Sequence, residues 1–154
     1  MTAENTSSSA PYRLGVALSG GGARGFAHIG ALKALTEAGY KPDVIAGVSA
    51  GSVAAVLYAA GIQYDDIMRI FAQAKFTDFC TFSISNGEGV FSLSKFKKFI
   101  EKLCGYSRLE DLPIPTYIGA TDLDRGVPAE FHSGALGERV MASCSICLLY
   151  TSDA

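Results

Sequence analysis

The stretch Gly47-Val48-Ser49-Ala50-Gly51 follows the short apolar run Val44-Ile45-Ala46 and opens into a helical pattern. It fits the sequence G-x-S-x-G, in which a serine lies on a sharp turn between a strand and a helix. The glycines on both sides leave room for a backbone too tight to accept a Cβ. Ser49 is therefore the first candidate for a nucleophile.

A second glycine-rich turn, Gly20-Gly21-Gly22-Ala23-Arg24-Gly25, follows the apolar run 13–19 and precedes a helical pattern that ends near Ala38. Two strand-helix units in succession predict an α/β fold, because the right-handed crossover between them makes their strands parallel. Loops that leave the carboxyl ends of parallel strands lie side by side. We therefore expect the two turns to meet. The backbone N–H groups of the first turn would then suit an anion or a developing oxyanion near Ser49.

The remaining pattern predicts further helices and strands of the same fold. It indicates helices over 52–60, from about 65 through 74, over about 93–103 and over 135–143. Strands are indicated over 114–121 and 129–132, and a loop at Asn86-Gly87-Glu88-Gly89. Phenylalanines are concentrated between Phe71 and Phe99. They could form an apolar cap over the candidate site or the core of a helical subdomain, and both hold if one face of the subdomain lines an apolar pocket. We favour the core.

Composition limits the class of protein. The chain has 154 residues, is 49% hydrophobic and carries a formal net charge of −2, which predicts one globular domain without the basic surface of a nucleic-acid binder. The apolar run 53–62 is far shorter than the roughly 20 residues of a membrane-spanning helix. Residues 1–12 are polar and predict a disordered leader without a signal peptide. The 4 cysteines then favour reduced thiols and a cytoplasmic location.

The first glycine turn also matches the G-x-G-x-x-G pattern of dinucleotide-binding folds. Such a site needs an acidic residue after the second strand to hold the ribose, whereas Asp43 lies before that strand and Ser49 after it. A phosphate-binding P-loop needs Lys-Ser or Lys-Thr after its last glycine, and Phe26 stands there instead. A nucleotide-binding module remains an alternative function, as does a non-catalytic interaction domain of the same fold.

The base that would activate Ser49 is the open question. An α/β-hydrolase triad follows the chain order serine, acid, histidine, which is matched here by Ser49, Asp122 or Asp124, and His132. However, only one predicted strand precedes the strand that leads to Ser49, which is unlike that fold. The other histidine, His28, lies in the first helix beside the glycine turn, and we interpret it as structural.

Several blocks of the sequence resemble the patatin-like phospholipase family. They are Ser19 to Gly25, Gly47 to Ser52, Gly119 to Leu123 and Met141 to Ile146. The resemblance covers residues 13–146, which we interpret as a partial domain. It implies a three-layer α/β fold with a mostly parallel sheet that is incomplete at its C-terminal end.

The resemblance also implies an activity, that of a serine lipid acyl hydrolase of the phospholipase, lysophospholipase or esterase type. Such an enzyme cleaves carboxylic esters through a Ser-Asp dyad and needs neither metal nor cofactor. Ser49 would be the nucleophile, and the backbone of Gly21, Gly22 and Ala23, helped by Arg24, would form the oxyanion hole. The implied partners are a lipid ester and a membrane surface contacted peripherally, with no nucleic acid.

The family's catalytic aspartate stands in an Asp-Gly-Ala or Asp-Gly-Gly motif, which is absent from this sequence. We expect that residue beyond the end of the chain and interpret Asp122 and Asp124 as structural. Residues 147–154 depart from the family pattern and resemble a translated sequencing adapter, so we interpret them as an artefactual tail. Neither Asp153 nor the Cys144-x-x-Cys147 pair is then a site, and a chain of these 154 residues alone is expected to be inactive.

Overall fold

The computed structural model describes residues 12–73, 81–85, 88–92 and 94–145. The predicted leader up to residue 11 and the interpreted tail at 147–154 lie outside these residues. Asp153 and the Cys144-x-x-Cys147 pairing lie outside them for the same reason.

Strands and helices alternate along the first half of the described chain, as predicted. The elements are β1 (Gly15–Leu18), a 3-10 turn (Gly22–Gly25), α1 (Phe26–Glu37), β2 (Val44–Val48), α2 (Ala50–Ala59), α3 (Tyr64–Gln73), β3 (Thr81–Ser85), β4 (Glu88–Ser92), α4 (Ser94–Cys104), a second 3-10 turn (Leu109–Asp111), β5 (Thr116–Asp122), β6 (Val127–Phe131) and α5 (Leu136–Cys144).

The main sheet has 4 strands in the order β1-β2-β5-β6. β1 and β5 both pair with β2 in parallel, and β6 closes the other edge in antiparallel orientation. The predicted α/β class and mostly parallel sheet are thereby confirmed. Leu18 at the end of β1 pairs with Gly47 near the end of β2, so the two glycine turns leave the sheet side by side.

Helices α2 and α5 pack on one face of this sheet and against each other. Ile45 and Ile118 point into that interface and are fully buried. α2 is apolar along its whole length, and Ala55, Val56 and Leu57 are likewise buried completely. A helix that is apolar on every side needs partners all round, which α1 and α4 supply on the sides away from the sheet.

The glycines of the G-x-S-x-G stretch allow an unusually close backbone contact. A Cβ on Gly51 would lie 2.3 Å from the carbonyl oxygen of Leu18, and one on Gly47 would lie 2.3 Å from the carbonyl oxygen of Gly51. Gly25 of the first turn faces α2 equally tightly, because a Cβ there would lie 2.5 Å from the Cβ of Ala50. Both glycine patterns therefore serve the same junction of β1, β2 and α2.

The predicted loop at 86–89 was wrong for the residues that the structure describes there. Glu88 and Gly89 begin β4, which pairs antiparallel with β3 from Ser85↔Glu88 to Thr81↔Ser92. The physical reason is visible in the sequence, since Asn-Gly between two alternating runs favours a tight hairpin. In the phenylalanine-rich segment, Phe96 is buried in the core and Phe99 packs against it, as a helical subdomain core requires.

We expect Gly51→Ala to destabilise the fold strongly. The new methyl group would overlap a backbone carbonyl rather than a movable side chain, so the loss should reach or exceed the roughly 1–3 kcal/mol typical of overpacking. Gly30→Ala is the matched control, because nothing lies within 4 Å of a Cβ there. In the middle of α1 it should add up to about 1 kcal/mol of stability. Urea unfolding followed by circular dichroism measures both, and equal stabilities would contradict the close contact.

Candidate functional site

Ser49 joins β2 to α2 in a strained backbone conformation. Its φ is 52° and its ψ −122°, and it is the one non-glycine residue with positive φ in the part of the chain that the structure describes. Such a conformation costs about 1–3 kcal/mol and persists only where its surroundings impose it. Here the carbonyl oxygen of Ser49 accepts the N–H groups of Ser52 and Val53 at 2.9 and 3.3 Å. The Ser52 hydroxyl donates to the same oxygen at 2.7 Å.

The hydroxyl of Ser49 is not used to cap the helix. Ser49 occupies the N-cap position of α2, where a serine side chain usually accepts a backbone N–H, yet it makes no such bond. Its neighbour is the Cys144 thiol, whose sulfur also lies 4.0 Å from the Ser52 hydroxyl oxygen. Burial raises the pKa of that thiol to about 11, outweighing its hydrogen bonds with Ser52 and Ser49. Cys144 is therefore protonated at neutral pH and is no competing nucleophile.

The first glycine turn lies against Ser49, as predicted. A Cβ on Gly20 would stand 3.3 Å from the Cβ of Ser49. Within the described chain, no carbonyl oxygen or side chain accepts the N–H groups of Gly21, Gly22 or Ala23. These groups are free to receive an anion at the start of the 3-10 turn.

Arg24 adds a positive charge to this loop. Its backbone N–H donates to the Gly21 carbonyl oxygen at 3.1 Å and closes the turn. Its side chain is exposed and pairs with no carboxylate of the described residues. The guanidinium is consequently available to a ligand, with a forked set of donors that suits a carboxylate, a phosphate or an oxyanion.

The histidines have other partners. His28 Nε2 donates to the carbonyl oxygen of Ser19 at 2.8 Å and so anchors the beginning of the glycine turn to α1. The ring of His132 lies beside that of Tyr117, with 5.9 Å between the ring centres. Among the described residues, no hydrogen bond joins Ser49 to either histidine.

Of the two candidate acids, Asp124 is exposed and Asp122 is engaged elsewhere. Asp122 accepts the backbone N–H groups of Asp124 and Arg125, both at 3.1 Å, and thereby closes the turn between β5 and β6. Asp43 accepts the N–H groups of Arg13 and Leu14, both at 2.9 Å, where the chain enters β1. No hydrogen bond links Ser49 to a carboxylate within the described ranges. Asp43 is likewise committed to the backbone and cannot serve the ribose of a nucleotide.

Ser143 is the site residue whose role sequence reasoning missed. Its hydroxyl oxygen accepts the backbone N–H of Ser49 at 2.8 Å and donates to the carbonyl oxygen of Gly119 at 2.6 Å. The family-like block at 141–146 includes Ser143, but no local pattern connects it to a residue 94 positions earlier. Only the packing of α5 beside β5 brings them together.

Two apolar depressions adjoin the junction. The smaller, of about 100 Å³, lies between the glycine turn and helices α1 to α4. It is lined by Gly22, Gly25, Phe26, Ile29, Ala50, Val53, Ala54, Leu57, Ile67 and Phe96. The larger, of about 830 Å³, is lined by residues of all four strands of the main sheet and of α5, and includes Gly47, Val48 and Ser143.

Among the residues that the structure describes, no cluster of His, Cys, Asp or Glu side chains is arranged to hold a metal ion. None of the described helices combines the length and apolar character needed to cross a membrane.

Known proteins are similar in sequence to this chain over most of its length. An NTE family protein of Mycobacterium bovis is 37% identical over 141 residues, which cover 90% of this chain and 39% of the relative. A lysophospholipase nte1 of Aspergillus fumigatus is 33% identical over 147 residues, covering 86% of this chain and 9% of the relative. The chain thus spans well under half the length of either relative.

A family model described as patatin-like phospholipase matches residues 16–152. This match and the relatives confirm the resemblance that the motif blocks indicated, together with its α/β fold. The chain belongs to the patatin-like phospholipase family.

Proposed function

We propose that this protein is a serine hydrolase that cleaves carboxylic esters of lipids, with Ser49 as the nucleophile. The observation that carries the proposal is the strained turn at Ser49. It presents a hydroxyl with no capping role beside a loop whose backbone N–H groups have no partner among the described residues. A turn kept only for packing would have no need of the strain or of the unpaired groups.

The first step is attack of Ser49 Oγ on the ester carbonyl carbon. The carbonyl oxygen becomes an oxyanion, for which the N–H groups of Gly21, Gly22 and Ala23 provide hydrogen bonds, with the Arg24 cation nearby. Loss of one such donor typically lowers a rate by about 10²- to 10³-fold. The intermediate then collapses: the ester C–O bond breaks, the alcohol leaves with the proton that the base took from Ser49, and water hydrolyses the acyl-enzyme.

A general base must take the Ser49 proton, because a serine hydroxyl is barely ionised at neutral pH. We assign this role to an aspartate, the second member of a Ser-Asp dyad. Within the described ranges no carboxylate is hydrogen-bonded to Ser49, and Asp122 holds backbone N–H groups instead, which supports a base outside the described residues. A carboxylate enclosed in an apolar site has a raised pKa and accepts a proton directly, so no histidine is needed.

The substrate class rests on three supports. Relatives include proteins named lysophospholipase nte1, and the family is that of patatin-like phospholipases. The small depression beside the glycine turn is lined by apolar side chains, as an acyl chain requires.

We infer peripheral contact with a membrane, where such esters reside. We also infer a cytoplasmic location, consistent with free thiols at Cys104 and Cys144.

Ser49→Ala should abolish covalent labelling by a fluorophosphonate probe, because the probe reacts with an activated serine oxygen. The assays use the longest natural form of the protein that contains these residues, since the relatives are longer than the chain. Ser133→Ala is the control, as Ser133 is exposed and contributes only its backbone carbonyl to a contact. Labelling that survives Ser49→Ala would contradict the proposal and favour a non-catalytic interaction domain.

Arg24→Ala should lower ester turnover by about tenfold or more while leaving the thermal midpoint nearly unchanged. The side chain is exposed and has no described ion pair, so its loss removes charge from the loop without removing packing. Arg69→Ala is the matched control, because it removes the same charge from a surface pair with Asp66. Equal turnover in the two variants would exclude Arg24 from the site.

His132→Ala should retain most of the activity, since its ring lies beside Tyr117 and not in a hydrogen bond with Ser49. The measurement is kcat for a p-nitrophenyl ester, compared with Ser49→Ala in the same assay. A fall to the level of Ser49→Ala would restore the Ser-Asp-His triad as the mechanism.

A further inference from the structure

The hydrogen-bond ladder between β2 and β5 leads directly to the nucleophile. The two strands are parallel, and Ile45 N–H donates to the carbonyl oxygen of Pro115 at 3.0 Å. Their register continues unbroken to the pair Val48↔Gly119. In a parallel ladder the bonds from one strand repeat every second residue. Ser49 lies four residues after Ile45, and Gly119 lies four residues after Pro115. The N–H of Ser49 therefore faces the carbonyl oxygen of Gly119.

The hydroxyl of Ser143 occupies this position in the ladder. It accepts the Ser49 N–H at 2.8 Å and donates to the Gly119 carbonyl oxygen at 2.6 Å. A hydroxyl can do both, because it has one proton to give and lone pairs to receive. The last hydrogen bond between β2 and β5 is thus made through a side chain from α5, with one oxygen atom inserted between donor and acceptor.

We propose that Ser143 is a positioning residue for the nucleophile, a role that rests on the proposed function of Ser49. Its hydroxyl keeps β2 apart from β5 at the point where the chain must leave the sheet. It also satisfies the N–H of Ser49 while φ remains at 52°. That N–H is then unavailable to an oxyanion, so the oxyanion donors must come from the glycine turn.

Removal of the hydroxyl has a definite structural consequence. In Ser143→Ala, the Ser49 N–H and the Gly119 carbonyl oxygen can bond directly at about 2.9 Å, as the rest of the ladder does. Ser49 would move toward β5 by on the order of 1 Å, with no buried polar group left unpaired. A misplacement of that size can cost about 10²-fold in rate, whereas stability should change little.

The experiment compares two serines of the same segment, in the longest natural form of the protein. Ser143→Ala should lower kcat by about 10- to 100-fold, with KM within roughly twofold and the thermal midpoint nearly unchanged. Ser143→Thr keeps the hydroxyl and should restore most of kcat. Ser145→Ala is the control, because the Ser145 hydroxyl donates to the Met141 carbonyl oxygen at 2.8 Å without reaching Ser49. It should leave kcat unchanged.

A further variant and an NMR measurement test the role even if Ser143→Ala does not fold. Ser143→Cys has nearly the shape of serine but hydrogen-bonds weakly, so it should lose kcat even if the alanine variant unfolds. The amide proton of Ser49 should shift in the NMR spectrum of Ser143→Ala or Ser143→Cys and stay unchanged in Ser145→Ala. Full kcat in both Ser143→Ala and Ser143→Cys, or an unchanged chemical shift of the Ser49 amide proton in these two variants, would overturn the positioning role.

The two proposals fail in different ways. Wild-type turnover that persists in Ser49→Ala would refute the proposed function, and the amide shift would still report the bridge. Turnover that depends on Ser49 but not on the Ser143 hydroxyl would leave the function standing and refute this inference.

Discussion

The structure depends on one backbone contact, that of Gly51 with the carbonyl oxygen of Leu18. A methyl group at Gly51 would lie 2.3 Å from this oxygen, so helix α2 can start against the end of β1 only if the residue is glycine. The contact brings the first turn of α2 under the loop that leaves β1, and that loop begins beside Ser49. The fold and the site thus share one steric requirement. A larger residue at position 51 would disrupt both the packing of α2 on β1 and the position of Ser49.

Sequence patterns foretold this junction well because each of its parts is local. Glycine spacing, short apolar runs and the change to helical periodicity gave β1, β2, α1 and α2 and placed Ser49 between them. The hairpin of β3 and β4 was missed although Asn-Gly indicated it, since the flanking glycine and polar residues favoured a loop. The role of Ser143 had no local signal, because it arises from the register of β5 and the packing of α5. Contacts between residues distant in sequence remain the least predictable from pattern alone.

The described side chains in direct contact with Ser49 are uncharged. They are the hydroxyls of Ser52 and Ser143 and the Cys144 thiol, which burial keeps protonated. The charge beside them is the Arg24 guanidinium on the glycine turn. Under the proposed function, the N–H groups of the glycine turn and the Arg24 guanidinium stabilise the charge that develops on the ester oxygen during the reaction.

The Asp43 carboxylate, which holds the N–H groups of Arg13 and Leu14, fixes the direction from which the chain enters the sheet. That entry is at the amino end of β1, whereas Ser49 lies at the carboxyl end of the neighbouring strand. Four strand residues at about 3.3 Å each separate the two edges. Arg13 and Leu14 therefore lie at the edge of the sheet remote from the nucleophile. A change made at this entry to β1 is thus separated from Ser49 by the full length of the strand.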